Sequence, residues 1–172
     1  MDLSAFPALL ALLALAVAAE GGAAAPLECR LEAGAVQPAG GPVLVRFRLR
    51  NPGRQSLSIL DWQTPLEGLL ADIFKIRPTT GGEPLRYTGP LVKRGDPDAD
   101  EYVEIPPGGE ASEEVDLSLA YDLTRPGRYS VSFRGRLLDV VSPASAPRPR
   151  DRHEALPVTC NTLEIEIVDG GR

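Results

Sequence analysis

The chain has 172 residues, the length of a leader plus one ordinary domain, with apolar side chains at 43% and charged ones at 24%. That balance suits a globular protein with one core, and it excludes wholesale disorder and a multi-span membrane protein. A formal net charge of −6 argues against nucleic acid or an anionic membrane as the partner.

Residues 8–19, ALLALLALAVAA, form an apolar run followed after Glu20 by small residues. This is the pattern of a secretion signal over residues 1–25, although Asp2 stands where a positive start is usual. The run is short for a bilayer and Pro7 interrupts its start, so no stable membrane insertion is expected after cleavage. Residues 26–172 then form a single domain in a secreted or periplasmic location. Export places Cys29 and Cys160 in an oxidising compartment, where two cysteines in a small domain usually pair. A structural disulfide is expected, and a free thiolate capping a partner's zinc is the alternative.

Near the start of the domain Leu27, Cys29 and Leu31 alternate with Glu28, Arg30 and Glu32. From Val43 the run VLVRFRLR places Val43, Val45, Phe47 and Leu49 on one face and Arg46, Arg48 and Arg50 on the other, which predicts a strand covering a core. Shorter strands are predicted at 56–60, 72–76, 102–105 and 111–119. The period of two returns at Tyr129, Val131 and Phe133, and again at Leu163, Ile165 and Ile167. NPG, TTGG, TGP, PPGG and RPG separate these runs with residues that fix or relax φ. Seven to eight short strands without a sustained helical period predict an all-β fold, an antiparallel immunoglobulin-like β-sandwich. Tyr129, just after Pro126 and Gly127, is placed to be the corner tyrosine of such a sandwich. Residues 135–157, rich in Pro, Arg, Ala and Ser, are expected to be a long exposed loop.

Chemistry-bearing motifs are scarce. His153 is the single histidine, and HEAL lacks the second histidine of a zinc-binding H-E-x-x-H helix. One loop histidine with no nucleophile elbow gives no basis for a Ser-His-Asp or Cys-His site. Asp96, Asp98 and Asp100 invite a calcium reading, but an EF-hand starting at Asp96 would need Gly and Glu where Glu101 and Pro107 stand. No catalytic residue, metal ligand or cofactor is therefore assigned. Arg94, Gly95 and Asp96 spell an adhesion tripeptide that chance alone readily supplies.

The central block carries W-x-T-P-x-x-G from Trp62, Y-x-G-P-x-x-K-R from Tyr87, D-E-Y-x-x-I-x-P-G-G from Asp100, V-D-L-S-x-x-Y-D-L from Val115, and P-G-x-Y from Pro126. This pattern resembles the non-catalytic immunoglobulin-like domain that precedes the zinc domain in bacterial deuterolysin and peptidyl-Lys metalloendopeptidase proteins. The resemblance covers most of the domain, but the zinc-binding histidines and catalytic aspartate of that family have no counterpart here. It implies a non-catalytic module whose protein partner is a zinc endopeptidase or its substrate, with binding, inhibition and assistance all open. Trp62, Tyr87, Lys93, Arg94 and Tyr102 are the candidate binding surface, because aromatic and Arg side chains dominate interaction hot spots. Structural roles for the same motif residues remain the competing reading, and an envelope or surface-adhesion module unrelated to proteolysis is the alternative function.

Overall fold

The computed structural model describes residues 27–170; the signal expected over residues 1–25 lies outside them. The alternating run from Val43 forms β3 (Leu44–Arg50), in which Val45, Phe47 and Leu49 are fully buried. β3 lies between β1 (Glu28–Ala33) and β7 (Glu110–Asp116), antiparallel to both. Its outward arginines meet carboxylates on both neighbours: Arg46 with Glu114 at 3.3 Å, Arg48 with Glu32 and Glu110 at 3.4 Å each, and Arg50 with Glu28 at 3.0 Å. A basic centre strand flanked by acidic ones favours this register over any that sets like charges opposite each other.

The ladder continues past a break. β4 (Leu57–Leu60) pairs antiparallel with β6 (Tyr102–Ile105), Leu57 opposite Ile105, in line with the pairing of β3 and β7. Buried Asn51 holds the interruption. Its backbone exchanges hydrogen bonds with Gly109 and Gly108 at 2.9 and 2.8 Å. Its side-chain amide donates to the carbonyls of Gln55 and Ile105 at 2.8 and 3.0 Å.

The second layer contains β2 (Val36–Pro38), β5 (Phe74–Pro78), β8 (Gly127–Phe133) and β12 (Leu163–Val168), in the order β2-β12-β8-β5. All pairs are antiparallel except β2 with β12. Phe74, Ile76, Val131, Ile165 and Ile167 point inward, and the Phe133 ring lies 5.2 Å from Phe47 of the facing layer. Two layers of sheet packed over one apolar cluster make an all-β sandwich. Eight strands have four or more residues, as the turn spacing predicts. Four shorter ones, β2, β9 (Arg136–Leu137), β10 (Val140–Val141) and β11 (Leu156–Pro157), have too little sequence to show a period.

The Tyr129 hydroxyl donates to the Arg125 carbonyl at 2.9 Å, the corner contact expected of it. Cys29 and Cys160 are bonded, with Cα atoms 4.6 Å apart. Beside them the Asn161 amide accepts from Leu31 N–H at 2.8 Å and donates to the Leu31 carbonyl at 3.0 Å, so a side chain occupies part of the free edge of β1.

Two expectations need correction. The strand predicted over 111–119 ends at Asp116, whose Oδ1 accepts from Val43 N–H and Ser118 N–H at 2.8 and 3.0 Å and starts a 3-10 turn over Leu117–Leu119. Leu117 is buried but Leu119 is 76% exposed, out of phase with the core. Residues 135–157 form an irregular excursion between β8 and β12, yet the excursion is packed: β9 pairs with β11, β10 adds to β4, and Leu137 and Asp139 are fully buried.

Candidate functional site

The tetrapeptide Asp61–Thr64 leaves β4 in a tight turn. The Asp61 carbonyl accepts from Thr64 N–H at 3.0 Å and from the Thr64 hydroxyl at 2.6 Å. Thr64 in turn caps a 3-10 turn over Pro65–Glu67, accepting from Leu66 N–H at 3.1 Å. Gln63 has φ 56, a left-handed conformation uncommon outside glycine and asparagine, and its N–H donates to Glu67 Oε1 at 2.6 Å. The turn buries Trp62, which is 3% exposed, and presents the carboxylates of Asp61 and Glu67 beside it.

Three of the sequence motifs converge on this tryptophan. Its indole N–H donates to Glu101 Oε1 at 2.9 Å, and the same oxygen accepts from Arg94 at 3.2 Å. Arg94 also pairs with Glu67, and its guanidinium carbon lies 5.0 Å from the Trp62 ring centroid, within cation–π range. Glu101 Oε2 accepts from Asp98 N–H at 2.8 Å. His153 stands edge-on to the indole with ring centroids 6.2 Å apart, its Nε2 3.1 Å from the Arg148 carbonyl. It is half-buried rather than a solvated loop histidine.

The electrostatics of the cluster are uneven. Burial pushes the Asp61 carboxyl up to about 6, and the neighbouring Glu67 and Glu101 carboxylates push it the same way against Arg94. Its Oδ1 is buried without a hydrogen-bond partner. Burial also raises Glu67, opposed by Gln63 N–H and Arg94. Burial acts upward on Glu101 as well, but there the hydrogen bonds from Asp98 N–H and Trp62, with Arg94, bring the carboxyl below its usual range.

Above the indole lies a concavity of about 360 Å³. Trp62, Leu70, Leu138 and His153 contribute to its walls, Leu91 and Val92 are part of its rim, and Lys93, Arg94 and Arg150 are its cations. The rim segment is held by Val92 N–H to the Leu70 carbonyl at 3.4 Å. The excursion is fastened onto it where Arg150 N–H donates to Asp96 at 2.9 Å and the Arg150 guanidinium to the Arg94 carbonyl at 3.1 Å. Arg94 and Asp96 are therefore both engaged within the fold, which leaves the adhesion tripeptide poorly presented.

Of the five residues predicted to form a binding surface, Trp62, Lys93 and Arg94 meet at this concavity. Tyr87 packs edge-to-face on Tyr121 at 5.5 Å, and its hydroxyl lies 2.8 and 2.6 Å from the Leu69 and Pro90 carbonyls, turned into the fold. A Cβ on Gly89 would stand 2.6 Å from that hydroxyl, which explains the glycine of Y-x-G-P. Tyr102 serves a different centre. Its hydroxyl donates to Asp139 Oδ2 at 2.7 Å, where Arg148 Nε also donates at 3.0 Å, while Oδ1 accepts from Glu154 N–H at 3.0 Å and from Arg148. Burial and the bond to Asp139 push the Tyr102 hydroxyl up to about 12. Burial opposes ionisation of Asp139, but Arg148, Glu154 N–H and Tyr102 hold its carboxyl below the usual range. Asp139, Arg150 and His153 are contributors that periodicity does not reveal, because each acts through partners distant in sequence.

Among the described residues no group of three His, Cys, Asp or Glu side chains is arranged to hold a metal ion, and no helix is long and apolar enough to cross a membrane. No protein-family profile matches the chain. The chain is similar to an extracellular protease of Aeromonas hydrophila, 28% identical over 163 residues. The match takes in 95% of this chain and 45% of that protein, so the chain spans less than half the length of the curated relative it matches.

Proposed function

We propose that the chain is a secreted or periplasmic, non-catalytic module of a peptidase system, which binds a zinc endopeptidase of the deuterolysin type or its substrate and thereby inhibits or assists hydrolysis. The observation that carries this reading is the extent of the match to the extracellular protease: nearly all of this chain aligns, and more than half of that protein lies outside the alignment. Three features support it. Residues from three motifs of the resemblance, Trp62, Arg94 and Glu101, assemble one ordered knot of ion pairs and hydrogen bonds. The only histidine of the chain is packed on that indole. The disulfide suits an oxidising compartment.

The test is capture of secreted peptidases from the producing organism's culture supernatant on the tagged chain, followed by titration of the untagged chain into each captured enzyme. A saturable rise or fall in peptide hydrolysis at micromolar chain is expected, with no hydrolysis by the chain alone in zinc-supplemented buffer. Hydrolysis by the chain itself, or unchanged rates for every captured enzyme, overturns the reading.

A further inference from the structure

We infer that the concavity over Trp62 is a docking site for an extended acidic peptide segment, one that places an apolar side chain in the pocket and a carboxylate between Lys93 and Arg150. This deepens the proposed function and rests on it for the biological partner, though the chemistry is argued from the site itself. The pocket holds about 360 Å³, enough for a leucine-sized side chain together with part of its backbone. Its apolar walls include Leu70 and Leu138, and its rim carries Leu91 at 76% and Val92 at 45% exposure, two of the six exposed large apolar side chains among the described residues. Such side chains lose water only when something covers them.

Charge selects the occupant. The lining carries Lys93, Arg94 and Arg150 against a single carboxylate, Glu67, on a protein of net charge −6. Glu67 is already paired with Arg94, whereas neither Lys93 nor Arg150 has an ion pair among the described residues. Two exposed cations without an ion pair, Arg150 making its guanidinium contact to the Arg94 carbonyl, stand beside an apolar recess and favour a carboxylate over a basic chain. Trp62 and Arg94, fixed from below by Glu101, form a preorganised floor, so little ordering is required when the segment binds.

Trp62 is the sole tryptophan of the chain and reports directly on the pocket. The experiment titrates the full chain, followed by indole fluorescence, with a blocked hexapeptide of alternating glutamate and leucine, with its lysine–leucine counterpart, and with a glutamate–serine control. A saturable change with the glutamate–leucine peptide is expected, at least tenfold tighter than with either other peptide. The double variant Lys93→Glu/Arg150→Glu, whose substituted side chains are exposed and whose folding is checked by thermal melting, should lose that preference and favour the lysine–leucine peptide. Equal affinities for all three peptides, or a double variant that binds the acidic peptide as well as the parent does, overturns the inference. The parent chain separates this inference from the accessory reading. If it modulates a captured peptidase without preferring the acidic peptide, the docking chemistry is wrong and the accessory role stands; peptide selectivity without any effect on a peptidase has the opposite meaning.

Discussion

Asp61 illustrates how one side chain is held against its own preference. Its carboxyl is raised from 3.8 to about 6, so the folded state binds more protons than the unfolded chain between those values, and stability falls as pH rises through that window. Asp61→Asn removes the charge, so the variant is expected to melt higher than the parent at pH 7. The difference should vanish below about pH 4, where both states hold the proton. Thermal melts at both pH values check it. Asp139 has the opposite sign. Its carboxyl is held below the usual range, so its contribution is present above the unfolded value and is lost as pH falls through the folded one. Asp139→Ala at pH 7 should cost about 3 kcal/mol in urea unfolding, because Arg148 and Tyr102 lose a buried partner.

At the scale of elements, β3 was the most legible part of the sequence, and the reason is physical. A strand buried on one face must alternate, so Val45, Phe47 and Leu49 announce both the strand and its inward side. The arginines between them announce nothing until β1 and β7 supply Glu28, Glu32, Glu110 and Glu114. Arg48→Glu sets a third carboxylate between two others and should destabilise the domain by about 1 kcal/mol at low salt. A compensating Glu110→Arg in the same chain should recover most of the loss, as denaturant midpoints would show. The excursion between β8 and β12 was illegible for the converse reason. Its order comes from Asp139 reaching Arg148 and Glu154, and from Arg150 reaching Asp96, contacts with no period. The site was half legible: the motifs and their residue types singled out Trp62 and Arg94, but only the fold shows that the indole is a buried floor and that Tyr87 and Tyr102 turn to other work.

At the scale of the whole molecule, two layers of sheet, one core and one covalent link divide the task of stability. The disulfide joins residues 131 apart in sequence, and in the chain-entropy model a loop of that length removes about 5 kcal/mol of freedom from the unfolded ensemble. The double variant Cys29→Ser/Cys160→Ser should therefore unfold about 4–5 kcal/mol more readily while keeping the same far-ultraviolet spectrum when folded. Its effect on the Trp62 pocket should be small, since Cys29 and Asn161 lie at a separate recess, on the edge of β1.

The link between Cys29 and Cys160 also makes nearly the whole described chain a closed ring. Under the accessory role proposed above, this changes what a cut means. A single backbone scission anywhere between those residues, including the exposed turn at Arg150–Arg152, opens the ring but releases no fragment. Nicked molecules would run as one band on a gel without reductant and as two after thiol treatment, and the nicked form could keep its sheets and its pocket in register. Survival in such surroundings then depends less on escaping cleavage than on remaining one molecule after it.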